Sequence, residues 1–231
     1  MKYFGEGLSE NHKELNKIIR KQDSIEAAKT LFLDLHKKLH LSNITEGEEN
    51  EVDRLFSDLE PFEYTVMPTS KDETIAWVIW HIARIEDLTM GILVSGQEQV
   101  FNEDWKKRMN APITDTGNAL DDGGIMKLSK SLQVEELLHY RSAVGKRTRQ
   151  IVASLHPGDM VRKVIPDAIE KIRLEGGVTM EADSKWLLEF WGGKDVAGLL
   201  LMPPTRHVML HLNDCCKWKE AIRAKKKLYL V

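Results

Sequence analysis

Two cysteines in 231 residues, side by side at Cys215 and Cys216, are too few and too close for a disulfide framework. That excludes the stapled secreted scaffolds and points to a reducing, cytoplasmic home. Long apolar runs are missing as well. The longest, around Ile75–Ala83 and Val196–Met202, fall well short of the roughly 20 residues that cross a bilayer. The opening MKYFGEGLSENHKEL lacks the apolar stretch of a secretory leader.

Neither sign of charge prevails. The 33 Lys and Arg face 36 Asp and Glu, for a net charge of −3, so there is no basic surplus to attract nucleic acid or an anionic membrane. The run Arg223, Lys225, Lys226, Lys227 is basic only locally. No GxGxxG follows a strand, and GxxxxGK[ST] and G-x-S-x-G are absent, which removes dinucleotide, P-loop and nucleophile-elbow chemistry. What remains is an intracellular protein expected to act on a small molecule, without nucleic acid or membrane as partner.

Hydrophobic residues make up 42% of the chain, ample for a core without staples, and their spacing is helical. The first helix is expected over about 24–40, with Ile25, Ala28, Leu31, Leu35 and Leu39 on one face. Thr45-x-x-Glu48 reads as a capping box opening a short helix that ends before Pro61. Ser70-Lys-Asp-Glu73 reads as another, opening a helix over 71–95 with Gly96 as its stop. The stretch from Phe101 to Gly124, rich in Asn, Asp, Gly and Thr, is expected to be mostly connection. Ser131 caps a helix over 131–155, ended by His156-Pro157-Gly158.

An insert over 157–202 follows, with a brief strand at Val161–Ile165, a helix from Pro166 to Leu174, and two short helical pieces around Trp186 and Val196. Pro203-Pro204 launches the last helix, over 203–226. These elements imply an all-α fold, a four-helix bundle with long decorated crossovers, forming one domain over 1–231.

The eight histidines carry the chemistry. His207 and His211 are four apart on the last helix, so their rings share a face. That face runs His207, His211, Cys215, Trp218, Ile222, with imidazoles where leucines belong. On the second long helix Trp77, His81, Ile85, Leu88 and Ile92 repeat the pattern, with His81 at an interior position.

Three buried neutral imidazoles need three donors and three acceptors satisfied, and each orphan costs roughly 1–3 kcal/mol. A divalent metal takes one lone pair from each ring, and three His with open positions suit a catalytic site. Interior histidines also occur as hydrogen-bonded core residues, and that reading stays open here.

His36 and His40 have the same spacing but flank Lys37 and Lys38, with the apolar stripe on Leu35 and Leu39; they read as a solvated edge. His12, His139 and His156 get no functional reading. His207 is followed by Val208, not the Glu of a zinc protease. Glu86 and Asp87 lie five and six residues past His81, turned off its face, and are weak candidates. Asp214 could stand behind the ligands or face solvent. Cys215 could be a soft ligand, although a small buried hydrophobe is the commoner case. Trp77, Trp80, Trp186, Trp191 and Trp218 could wall a pocket or simply pack in the core.

Trp80-His81-Ile-Ala-Arg-Ile-Glu86 resembles the second-helix motif of the DinB-like (DinB/YfiT) metalloenzyme superfamily, and Thr205-Arg206-His207-Val-Met-Leu-His211-Leu-Asn213 resembles its fourth-helix H-x-x-x-H motif. The likeness extends loosely over 24–225. It implies a four-helix bundle in which His81, His207 and His211 bind nickel, zinc or iron, with water completing the shell. It also implies a homodimer, and activities such as transferases and isomerases that use bacillithiol, mycothiol or glutathione. The inserts at 97–130 and 157–202 depart from a compact member and leave the substrate open.

The function expected from the sequence is thus that of a metal-dependent enzyme, a low-molecular-weight-thiol transferase. The alternative is a non-catalytic metal- or ligand-binding bundle of stress or sensor type. Thr205, Arg206 and Asn213 are candidates to orient substrate, with surface or capping roles open for the last two.

Overall fold

The computed structural model describes residue 4 and residues 7–224. Lys225–Lys227 and the end of the expected last helix lie outside the described residues. The described chain is helical, and no strand forms in it; Lys163 and Asp195 make one isolated antiparallel bridge. Eleven α-helices are present among the described residues: α1 Leu8–Ile18, α2 Ile25–Lys38, α3 Glu51–Ser57, α4 Ile75–Asp87, α5 Glu103–Arg108, α6 Asp122–Ser131, α7 Val134–Ser154, α8 Pro166–Leu174, α9 Ala182–Gly192, α10 Val196–Leu200 and α11 Val208–Arg223.

At the centre lies α4, prolonged by π-helical turns over Leu88–Val94. Every residue from Ile75 to Val94 is buried, the mark of a helix covered on all sides. It packs along α7 and against α6 and α11, while α2 packs on α7 and on the π-helical turns Met202–His207 that lead into α11. Pro203 and Pro204 lack the N–H groups a regular α-helical start would use, so His207 closes a wider turn, a distortion often found at functional sites.

A covered helix carrying Arg84, Glu86 and Asp87 must pair each charge internally. Asp87 accepts from the Tyr140 hydroxyl at 2.6 Å and from the backbone N–H groups of Val100 and Phe101. Arg84 donates to Tyr140, to Asp87, to the Gln99 amide oxygen and to the Thr114 carbonyl, with its guanidinium 4.1 Å from the Phe101 ring centre. Burial holds Asp87 above the usual carboxylate range against the pull of Arg84.

Several expected boundaries are corrected by cap chemistry. Thr74, not Ser70, caps α4: its hydroxyl accepts from Trp77 N–H at 3.1 Å. Asn50, not Thr45, caps α3 and forms a reciprocal box with Asp53. Ser131 ends α6 with its hydroxyl on the Leu128 carbonyl, so the next helix begins at Val134. The expected strand at Val161–Ile165 is instead the end of a 3-10 turn, Pro157–Val161, followed by the single bridge. The N-terminal α1 was not expected, because only Leu8 and Leu15 of its eleven residues are buried and its charges hide the periodicity.

Candidate metal centre

The stretch 97–121 is no loose connection where it meets α4. Four successive carbonyls, Thr114 to Gly117, accept from four α4 side chains: Thr114 from Arg84, Asp115 from Trp80, Thr116 from His81 and Gly117 from Trp77. Gly117 sits at φ +75°, and a Cβ there would come within 2.9 Å of Trp77 Nε1, so glycine alone lets the strap lie this close. The strap is tied from outside by Thr116 N–H on the Gly177 carbonyl.

The strap fixes one imidazole. His81 Nδ1–H donates to the Thr116 carbonyl at 2.9 Å, which leaves a lone pair on Nε2. Trp77 stacks on the His81 ring, 4.5 Å between centres and 11° from parallel. His81 Nε2 then meets His207 Nε2 at 3.1 Å, and His207 Nε2 meets His211 Nε2 at 3.1 Å. The three ligand atoms lie within 4.8 Å of one another. His81 is buried, whereas His207 and His211 are half-buried.

Hydrogen bonds cannot close this arrangement. Each Nε2 has a single in-plane position, holding either a proton or a lone pair. His207 Nε2 can donate to His81 or accept from His211, but not both. The Nδ1 atoms of His207 and His211 have no protein partner to compensate. A cation shared by three lone pairs removes the conflict. Nitrogens about 2.0–2.1 Å from one ion lie roughly 2.9–3.4 Å apart at octahedral to tetrahedral angles, which spans the 3.1 Å separations seen.

Burial pushes His81 down to about 3, His211 down to about 4, and His207 well below the ordinary imidazole value, with the neighbouring imidazoles adding to the shift at His81 and His207. All three rings are therefore neutral at pH 7, the form that ligates. The donor set fits a divalent transition metal.

Other residues picked from the sequence fall elsewhere. Cys215 is buried, belongs to neither group of converging ligands among the described residues, and has its thiol pushed well up by burial. The Thr205 hydroxyl is spent on the Leu200 carbonyl, Asn213 ties the backbone of Phe4 to α11, and Arg206 is exposed. Asp214 pairs with Lys217 on the surface, yet its charge reaches His211. Of the tryptophans, Trp77 packs its ring on the triad, stacking on His81 and meeting His211 edge-on at 6.1 Å. A surface groove of about 650 Å³ beside Leu55, Cys216, Lys219 and Arg223 includes none of the three histidines.

A second cluster corrects the reading of His36 and His40 as a solvated edge. Both are buried, at 0% and 1% exposure. The inward face of α2 runs Ala28, Phe32, Leu35, His36, then Leu39 and His40 beyond its end, wide enough to hold adjacent residues while Lys37 and Lys38 point out. Their partner is Glu86, turned off the His81 face as expected but buried: His36 Nε2 and His40 Nε2 each lie 2.8 Å from one of its two carboxylate oxygens. Those imidazoles hold Glu86 well below the usual carboxylate range despite its burial. The signal that could have found this cluster is the density of ionisable residues in an otherwise apolar α4.

The family model of the DinB superfamily matches residues 44–183, more than half of the chain. His81, Glu86 and the carbonyl strap lie inside the matched stretch; the two histidine pairs lie outside it. No curated protein matches the chain.

Proposed function

We propose that the chain, which belongs to the DinB superfamily, is a metal-dependent enzyme whose divalent metal is held by His81, His207 and His211. One observation carries the reading: His207 Nε2 lies 3.1 Å from both His81 Nε2 and His211 Nε2, and no set of protons satisfies both contacts as hydrogen bonds. Such a metal lowers the pKa of a bound water or thiol toward neutrality.

The chain's own residues define the rest. Thr116 holds the His81 ring in the ligating tautomer. Trp77 covers one flank, and the half-buried His207 and His211 leave the other side for substrate. The substrate class we assign is a low-molecular-weight thiol, acting in a transfer reaction. Asp214 acts on both His211 and Glu73, and Glu73 is raised by burial and by Asp214, Asp72 and Asp122.

A panel of thiols and electrophilic acceptors, run with metal-loaded protein, tests the assignment. Turnover with a low-molecular-weight thiol supports it. A protein that holds metal but turns over none is a binding module. The homodimer implied by the resemblance is checked by light scattering on the same sample.

A further inference from the structure

The two imidazole clusters share a plan. In each, a histidine pair spaced four apart on one helical segment meets a single ligand-bearing residue from α4: His207 and His211 meet His81, and His36 and His40 meet Glu86. We propose that His36, His40 and Glu86 form a second site for a divalent transition cation. The inference goes beyond the triad and does not depend on it.

The ligand atoms are already gathered. Two Nε2 atoms and the two oxygens of one carboxylate pair off at 2.8 Å, and all three residues are at most 1% exposed. Two imidazoles and one carboxylate form a donor set that serves zinc and ferrous iron. The rings are seated in advance: Phe32 stacks on His36 with centres 5.5 Å apart, and the His36 and His40 rings lie 4.3 Å apart. His40 lies so close to α7 that a Cβ at Gly145 would come within 2.7 Å of its Nδ1.

With no cation bound, one N–H from each ring points to Glu86; the Nδ1 atoms of both rings have no protein partner, with or without a cation at Nε2. Three buried ionisable side chains are a costly way to fill a helical core. Arg141, also buried, acts on both Glu86 and His40 while donating to the Leu39 carbonyl. Its positive charge balances Glu86 when no cation is bound, so this is the weaker of the two sites and fills second.

Chelator-stripped full-length protein titrated with zinc alone, with bound metal counted after gel filtration, tests the proposal. Two equivalents per chain are expected for the wild type, the second at least tenfold weaker. One is expected for Glu86→Gln, which keeps the side chain's shape, and one for His207→Ala/His211→Ala, whose half-buried positions spare the core. A wild type that takes one equivalent, lost in His207→Ala/His211→Ala, overturns the second site and leaves the triad standing. One equivalent that survives that double change but disappears in Glu86→Gln supports the second site and overturns the triad. No bound zinc overturns both.

Discussion

His81 and Glu86 lie five residues apart on α4, which at about 100° per residue puts them on faces roughly 140° apart. One face looks to α11 and the other to α2, and each meets a histidine pair of identical spacing. The environments then diverge. The α11 side is half-open and its converging ligands are all imidazoles, so His207 Nε2 cannot serve both neighbours at once. The α2 side is sealed and includes a carboxylate, so every Nε2 has an acceptor without help. Spacing on a helix places imidazoles; the third residue and the exposure determine whether the protein alone can satisfy them.

Breaking the sealed side should cost the most stability. Glu86→Ala leaves two buried imidazole N–H groups without an acceptor, and removal of one member of such a buried cluster costs about 3–5 kcal/mol. Urea unfolding of metal-free protein measures this; a loss below about 1 kcal/mol would mean the cluster is wetter than it looks. His207→Ala, by contrast, should lower metal affinity by at least about a hundredfold, near 2.7 kcal/mol, with the midpoint of metal-free unfolding shifted far less than by Glu86→Ala.

The two glycines sharpen the contrast. Gly145→Ala pushes a methyl into His40 and should cost about 1–3 kcal/mol through overpacking, without touching the triad. Gly117→Ala strains a positive-φ position and moves the strap that orients His81. It should weaken metal binding by roughly tenfold, the low end for a group supporting a ligand. Affinity unchanged in Gly117→Ala would separate the strap from the centre.

Acid should act on both sides. His81 and His40 are each pushed down to about 3, mainly by burial. Since the unfolded chain takes up these protons near pH 6.5 and the folded chain does not, stability is full above about 6.5 and is lost as pH falls toward 3. Each group contributes a slope of at most about 1.4 kcal/mol per pH unit. Unfolding midpoints of metal-free protein at pH 7, 6 and 5 should fall in step; a flat series would mean the rings are already charged or solvated.

The smallest expected effect is Thr74→Ala, which removes the α4 cap at a cost of about 1 kcal/mol, visible as a lower unfolding midpoint with metal affinity unchanged.

Much of the α11 side was legible in the sequence, because His207, His211 and His81 each replace an apolar residue within an unbroken helical stripe. The α2 side was not. Lys37 and Lys38 between His36 and His40 suggested solvent, yet adjacent residues on a helix differ enough in direction for both lysines to point out while both histidines point in. Glu86 faces away from His81, as the spacing of five predicts, but spacing does not say what it faces. The carbonyl strap at 114–117 was out of reach for another reason: its chemistry belongs to the backbone, and any residue supplies a carbonyl. The fold class followed from periodicity, while α1 and the true caps at Asn50 and Thr74 depended on tertiary context that local spacing does not encode.

A cation shared by His81, His207 and His211 is the central feature proposed for this protein. Elemental analysis of protein purified without an affinity tag, beside His81→Ala and His207→Ala treated identically, is its most direct test. The expected result is a tightly bound transition metal in the wild type and the loss of one equivalent from both variants, with helical circular dichroism retained. A wild type that stays metal-free after exposure to zinc, nickel and ferrous iron, or variants that keep the wild-type amount, would contradict it.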